Sequence, residues 1–132
     1  MATKNSSKIK VLMIEDDQDM AILYYHRFQR ESELELIIAS DGHTGIKIAH
    51  HQNPDLTLLD LILPDLPGWE VLKRLKQDPD TISIPVIILS NLYKTELVEK
   101  GLKLGAEEDW SKTEMMPTNV VQSLKKRLGL LC

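Results

Sequence analysis

Short apolar runs alternating with helix-period stretches constrain the fold of this chain more than any other feature. Ile9–Ile14, Leu34–Ala39, Leu56–Leu59 and Val86–Leu89 are rich in Val, Ile and Leu, with little polar alternation. Such runs suit strands buried on both faces, as in a parallel sheet covered by helices. The first helical stretch begins near Asp17 to Asp19 and turns Met20, Leu23, Tyr24 and Phe28 toward a core. The Asp41-Gly42 turn precedes a second, with Ile46 and Ala49 inward. Pro67-Gly68 opens a third, with Trp69, Leu72 and Leu75 on one face. A fourth starts at Lys94-Thr95, carries Leu97, Leu102 and Leu104, and ends near Gly105. Pro117 suits the first turn of a fifth, which buries Val121, Leu124 and Leu128 before Gly129 stops it. Strand and helix repeated five times predict a doubly wound α/β sandwich of three layers.

Size and charge narrow the function. The 132 residues fit one domain, expected over 8–129, with short tails at 1–7 and 130–132. Sixteen Lys and Arg against 20 Asp and Glu give a net charge of −4, which weighs against nucleic acid or an anionic membrane as the main partner. No apolar run is long enough to span a bilayer. Residues 1–7 lack the apolar stretch of a secretory signal. The lone Cys132 cannot form an internal disulfide, so a reducing, cytoplasmic setting is expected.

In a doubly wound sheet, ligands sit at the carboxyl ends of the strands. Those ends carry Glu15-Asp16-Asp17, Asp60 and Ser90, and Lys112 precedes the last helix. Each acid alone reads as a cap or a solvated loop residue, and Asp17 is read as the N-cap of the first helix. Together they describe carboxylates that repel unless a cation joins them. Mg2+ fits, because it takes oxygen ligands and leaves room for phosphate. A carboxylate beside Mg2+ can serve as the nucleophile that forms an aspartyl-phosphate. Lys112 and Ser90 would then hold phosphoryl oxygens.

These residues resemble the receiver domain of two-component response regulators, over essentially 8 to 129. Val11-Leu-Met-Ile-Glu15-Asp16-Asp17 resembles the first strand and its acidic pair. Pro54 to Gly68 resembles the phosphoacceptor segment, with Pro64 four and Gly68 eight residues after Asp60. Ile84 to Ser90 resembles the fourth strand, and Gly105 to Lys112 the approach to the lysine. The resemblance implies a chemotaxis-regulator-like sheet of order 2-1-3-4-5. It implies that Asp60 accepts a phosphoryl group from a phosphohistidine of a sensor kinase or a phosphotransfer protein. It further implies Mg2+ or Mn2+ on Asp16, Asp60 and the Ile62 carbonyl, with Glu15 acting through water. Ser90 and Lys112 would bind the phosphoryl group, and the last two helices would carry the output.

Several positions depart from that pattern. Asp109 stands where the family has an aromatic residue that flips with Ser90 in the switch region, and Trp110 follows it. Adjacent strand residues face opposite sides, so Trp110 cannot replace that aromatic without a bulge. An exposed Asp109 and a packing Trp110 are expected. Thr113, not proline, follows Lys112, so a trans bond is expected there. Ile62 and Leu92 are apolar where a polar side chain could orient a hydrolytic water, which predicts slow self-hydrolysis. His26, His43, His50 and His51 lack metal-ligand spacing and read as surface or capping residues. Lys125-Lys126-Arg127 reads as a solvated helix end, and Glu31, Glu33 and Glu35 as an exposed turn and edge strand.

The leading expectation is a stand-alone phosphorylation switch, not an enzyme with an external substrate, that signals through a downstream protein or a homodimer. The alternative is a receiver-like adaptor that works without phosphorylation, motivated by Asp109. A Mg2+-dependent phosphatase would need a second acid two residues after its nucleophile, and Ile62 cannot supply one.

Overall fold

The computed structural model describes residues 8–91 and 96–130. The expectations placed on the tail 1–7, Leu92, Lys94-Thr95 and Cys132 lie outside them. Five strands, β1 (Ile9–Ile14), β2 (Leu34–Ala39), β3 (Leu56–Leu59), β4 (Val86–Ser90) and β5 (Glu108–Ser111), alternate with five helices. These are α1 (Gln18–Gln29), α2 (Gly42–Gln52), α3 (Gly68–Gln77), α4 (Glu96–Lys103) and α5 (Pro117–Arg127). The strands form one parallel sheet of order β2-β1-β3-β4-β5. The apolar runs mark the strands as expected, with Ser90 added to β4.

Two cores cover the sheet, one on each face. Val11 and Met13 of β1 pack with Tyr24 and Phe28 of α1 and Val120, Val121 and Leu124 of α5. Leu12 and Ile14 point the other way, to Ala49 of α2, Val71, Leu72 and Leu75 of α3 and Val98 of α4. Each fully buried Leu, Ile or Val contributes about 1.5–3 kcal/mol over its exposed state.

Three expectations are corrected. Leu23 is 56% exposed, because the inward stripe of α1 is Met20, Tyr24 and Phe28, and Leu23 sits about 100° off it. Leu102 is likewise exposed, while Val98 and Gly101 face inward from α4. The basic triplet on α5 is not simply solvated. Lys125 bonds Glu31 at 2.7 Å and pairs with Glu33 at 3.6 Å, and Arg127 pairs with Glu107 and Glu108. Arg27 joins the same Glu31 at 2.6 Å, so these charges tie α1 and α5 to the β2 and β5 edges. His50 is at the surface as expected, and there it lies between Asp78 (3.2 Å) and Asp80 (3.7 Å), acids 28 and 30 residues away that no local spacing reveals.

One loop acid locks the segment after β3. The Asp65 carboxylate accepts from the backbone N–H groups of Gly42 (2.8 Å), His43 (2.9 Å) and Leu66 (2.8 Å). With Asp41 capping Thr44 N–H at 2.7 Å, the first turn of α2 has most of its orphan donors satisfied. Desolvation would raise the pKa of Asp65, but the backbone N–H groups of His43, Gly42, Leu66 and Asp65 itself outweigh it and bring the value to about 2. Its folded-state pKa is thus below the ordinary 3.8, so its share of stability is present above about pH 4 and lost as pH falls toward 2. Thermal midpoints measured from pH 5 to pH 2 are expected to fall less steeply in Asp65→Asn than in wild type. Parallel curves would contradict this.

Candidate functional site

The sheet register brings the singled-out residues to one rim. Glu15 N–H donates to Ala39 O (2.9 Å), and Asp60 N–H donates to Ile14 O (3.1 Å). Each continues a parallel ladder one step past its strand. At the other side Ser90 pairs with Ser111, and Lys112 N–H donates to Ser90 O at 2.9 Å. Glu15 keeps the face of Val11 and Met13, and Asp60 keeps that of Leu56 and Leu58, so both carboxylates enter the same layer.

A glycine sets the approach of α3. A Cβ on Gly68 would lie 2.4 Å from Leu61 Cα and 2.6 Å from the Asp60 carbonyl oxygen. Gly68 N–H donates to Leu61 O at 2.9 Å. Any larger residue would push the backbone that carries Asp60, which is the physical reason for a glycine at that spacing.

The electrostatics centre on Lys112. Its ammonium donates to Glu15 Oε1 at 2.5 Å and to Asp60 Oδ2 at 2.9 Å. All three side chains are nearly closed to solvent, at 3%, 2% and 9% exposure. The remaining oxygens are also used. Glu15 Oε2 accepts from Asp17 N–H (3.1 Å), and Asp60 Oδ1 accepts from Ile62 N–H (3.1 Å). Burial pushes the Glu15 carboxyl up against the opposing pull of Lys112. Burial alone would lower Lys112, but its bonds to Glu15 and Asp60 win and hold it above its ordinary value.

Asp16 is exposed, and Asp17 caps α1 by accepting from Met20 N–H at 3.2 Å, as read from the sequence. Carboxylate oxygens of Glu15, Asp16 and Asp60 lie within 4.8 Å of one another. These three acids share one ammonium among the described residues, an excess of two negative charges. That excess and the all-oxygen donor set match a hard divalent cation. The acids, Ile62, Ser90 and Lys112 line a cleft of about 300 Å³. Ser90 is buried at its edge, and Ile62 is 55% exposed.

Asp109 is exposed. Trp110 lies on the opposite face, packed in the α1 and α5 layer, and its indole N–H donates to Glu108 at 2.9 Å. The two residues therefore belong to different layers, and no bulge brings Trp110 to the side of Asp109. No cis peptide bond occurs among the described residues.

The model of the response regulator receiver domain matches residues 11–125. The chain belongs to this family. The alkaline phosphatase synthesis transcriptional regulatory protein PhoP of Bacillus subtilis is 36% identical over 105 residues, covering 78% of this chain and 42% of that protein. The chain thus spans less than half the length of that relative. A CheY-like response regulator receiver domain protein from Methanospirillum hungatei has the same fold, with a TM-score of 0.83, 22% identity and coverage of 93% and 95% of the two chains. The Mn2+-bound form of response regulator Rcp1 superposes with a TM-score of 0.74 at 28% identity, covering 89% and 92%.

Sequence reasoning named the acids, Ser90 and Lys112, but missed the Asp65 lock, whose partners are 22 and 23 residues away. Lys112→Ala removes the cation from two buried carboxylates and is expected to cost about 3–5 kcal/mol in urea unfolding. Adding Asp60→Asn should recover part of that loss. A loss below about 1 kcal/mol in the single variant would contradict the charge balance described here.

Proposed function

We propose that this receiver is a phosphorylation switch whose acceptor is Asp60. The observation that carries the reading is the Lys112 ammonium seated between Asp60 and Glu15, with Asp16 beside them. An Asp60 oxygen attacks the phosphorus of a phosphohistidine on a sensor kinase or phosphotransfer protein. The N–P bond breaks, and the imidazole leaves with its electron pair. Three anionic oxygens then enter the cleft. Lys112 meets one of them, and the Ser90 hydroxyl meets another.

Asp16, Asp60 and the Ile62 carbonyl would hold Mg2+, with Glu15 acting through a water. The excess acidity of the site supports this, as does the Mn2+ named for a structural relative. An ion held there would supply positive charge to the transferring phosphoryl oxygens. Preorganised charge is most of what phosphoryl transfer needs, so the chain assists its own modification without acting on an external substrate. The apolar, exposed Ile62 leaves that flank without a group to orient water, which favours a long-lived phosphoryl aspartate.

Output passes to a downstream protein or a second copy of the chain through α4, β5 and α5. Phosphorylation must favour one arrangement of that face over another. With Asp109 exposed, the signal leaves the site without a buried aromatic at that position. We infer a cytoplasmic setting. Among the described residues, no helix is long and apolar enough to cross a membrane.

Intact mass after incubation with Mg2+ and acetyl phosphate tests the reading. Wild type is expected to gain one phosphoryl adduct, and Asp60→Asn none. Wild type that stays unmodified while still binding Mg2+ would contradict it and favour the phosphorylation-independent adaptor.

A further inference from the structure

Tyr24 sits in α1 with no exposed surface, in a layer of otherwise apolar side chains. The same cluster includes Met13, Leu58 and Leu89, which stand two, two and one residues before Glu15, Asp60 and Ser90. Helical side chains lean toward the N-terminus of their helix. The N-terminus of α1 is at Asp17, on the acidic rim. Tyr24 therefore lies in the layer beneath the site, on a helix whose N-terminus reaches that rim. Its oxygen is buried and has no hydrogen-bond partner among the described residues. A buried hydroxyl without a partner is destabilising, and phenylalanine would fill the same space without that cost. Thr57 is the other such hydroxyl, but it shares the face of Leu59, on the far side of the sheet.

The Glu15 carboxylate is the nearby group whose bonding must change. Glu15 is 2% exposed and takes its one side-chain donor from Lys112, which also serves Asp60. A phosphoryl group on Asp60 brings further anionic oxygens to that same ammonium. Resting on the phosphoacceptor reading of Asp60, we propose that Tyr24 is a positioning residue whose hydroxyl donates to Glu15 when Lys112 turns to the phosphoryl group. No proton leaves the phenol, and only hydrogen bonds are exchanged. Glu15 then stays anionic and aligned at the metal side of the cleft while the lysine is engaged elsewhere. The electrostatic link is already present. Burial first, and the charge of Glu15 second, hold the phenolic proton more tightly than in an ordinary tyrosine.

Tyr24→Phe keeps the ring and removes only the oxygen. The probe is beryllofluoride with Mg2+, a phosphoryl mimic, with binding followed by calorimetry and the free protein by its thermal midpoint. The free variant is expected to melt at or above the wild-type midpoint, and its beryllofluoride affinity to fall about tenfold. In a Glu15→Gln background the same substitution is expected to cost less than about threefold, since the two groups act as a pair. Equal affinity in Tyr24→Phe and wild type would overturn the proposal, as happens where a buried water serves the phenol in both states. A lower midpoint of the free variant would also overturn it, because the hydroxyl would then have its partner before the phosphoryl group arrives. Wild type that binds no more beryllofluoride than Asp60→Asn would overturn the phosphoacceptor reading itself.

Discussion

One ammonium shared between two buried carboxylates sets the terms for the rest of the site. Lys112, Glu15 and Asp60 are each expensive to bury alone. Held at 2.5 and 2.9 Å, with every remaining carboxylate oxygen on a backbone N–H, they become tolerable together. The cluster is still short of positive charge once Asp16 is counted. That shortage is what a divalent cation or a change of partners can use. A fully neutralised cluster would be more stable and would do nothing.

The sheet exists, in this view, to hold that cluster. Parallel register brings the chain just past β1, β3 and β5 to one rim of the sheet, with β4 between β3 and β5, and the first backbone bonds beyond the strands fix Glu15, Asp60 and Lys112 to within a residue. A one-residue slip would turn each acid to the other face. Gly68 lets α3 close on the Asp60–Leu61 backbone, and Asp65 ties the same loop to α2. Two helices that contribute no side chain to the cleft thus anchor the backbone that carries Asp60. On the other side, the Glu31 and Arg127 ion pairs hold α5 against its neighbours.

Much of this was legible in the sequence because its signals are local. Val/Ile/Leu runs mark strands buried on both sides, and the residue after each run is at the rim by construction. Leu23 and Leu102 were misplaced because a helix with more apolar residues than its inward stripe can hold must leave some outside, and composition does not say which. Asp65, the His50 pair and the Lys125 contacts were invisible because their partners lie tens of residues away. Tyr24 read as ordinary core. What sets it apart is an oxygen without a partner, which only the packed structure reveals.

The two carboxylates that Lys112 joins hold it charged, and a pH titration of its Nζ by NMR in the wild-type protein tests this. Lys112 is expected to keep its proton above the ordinary lysine value of 10.5, and Glu15→Gln to bring the titration down. A Lys112 that titrates at or below that ordinary value in wild type would contradict the account.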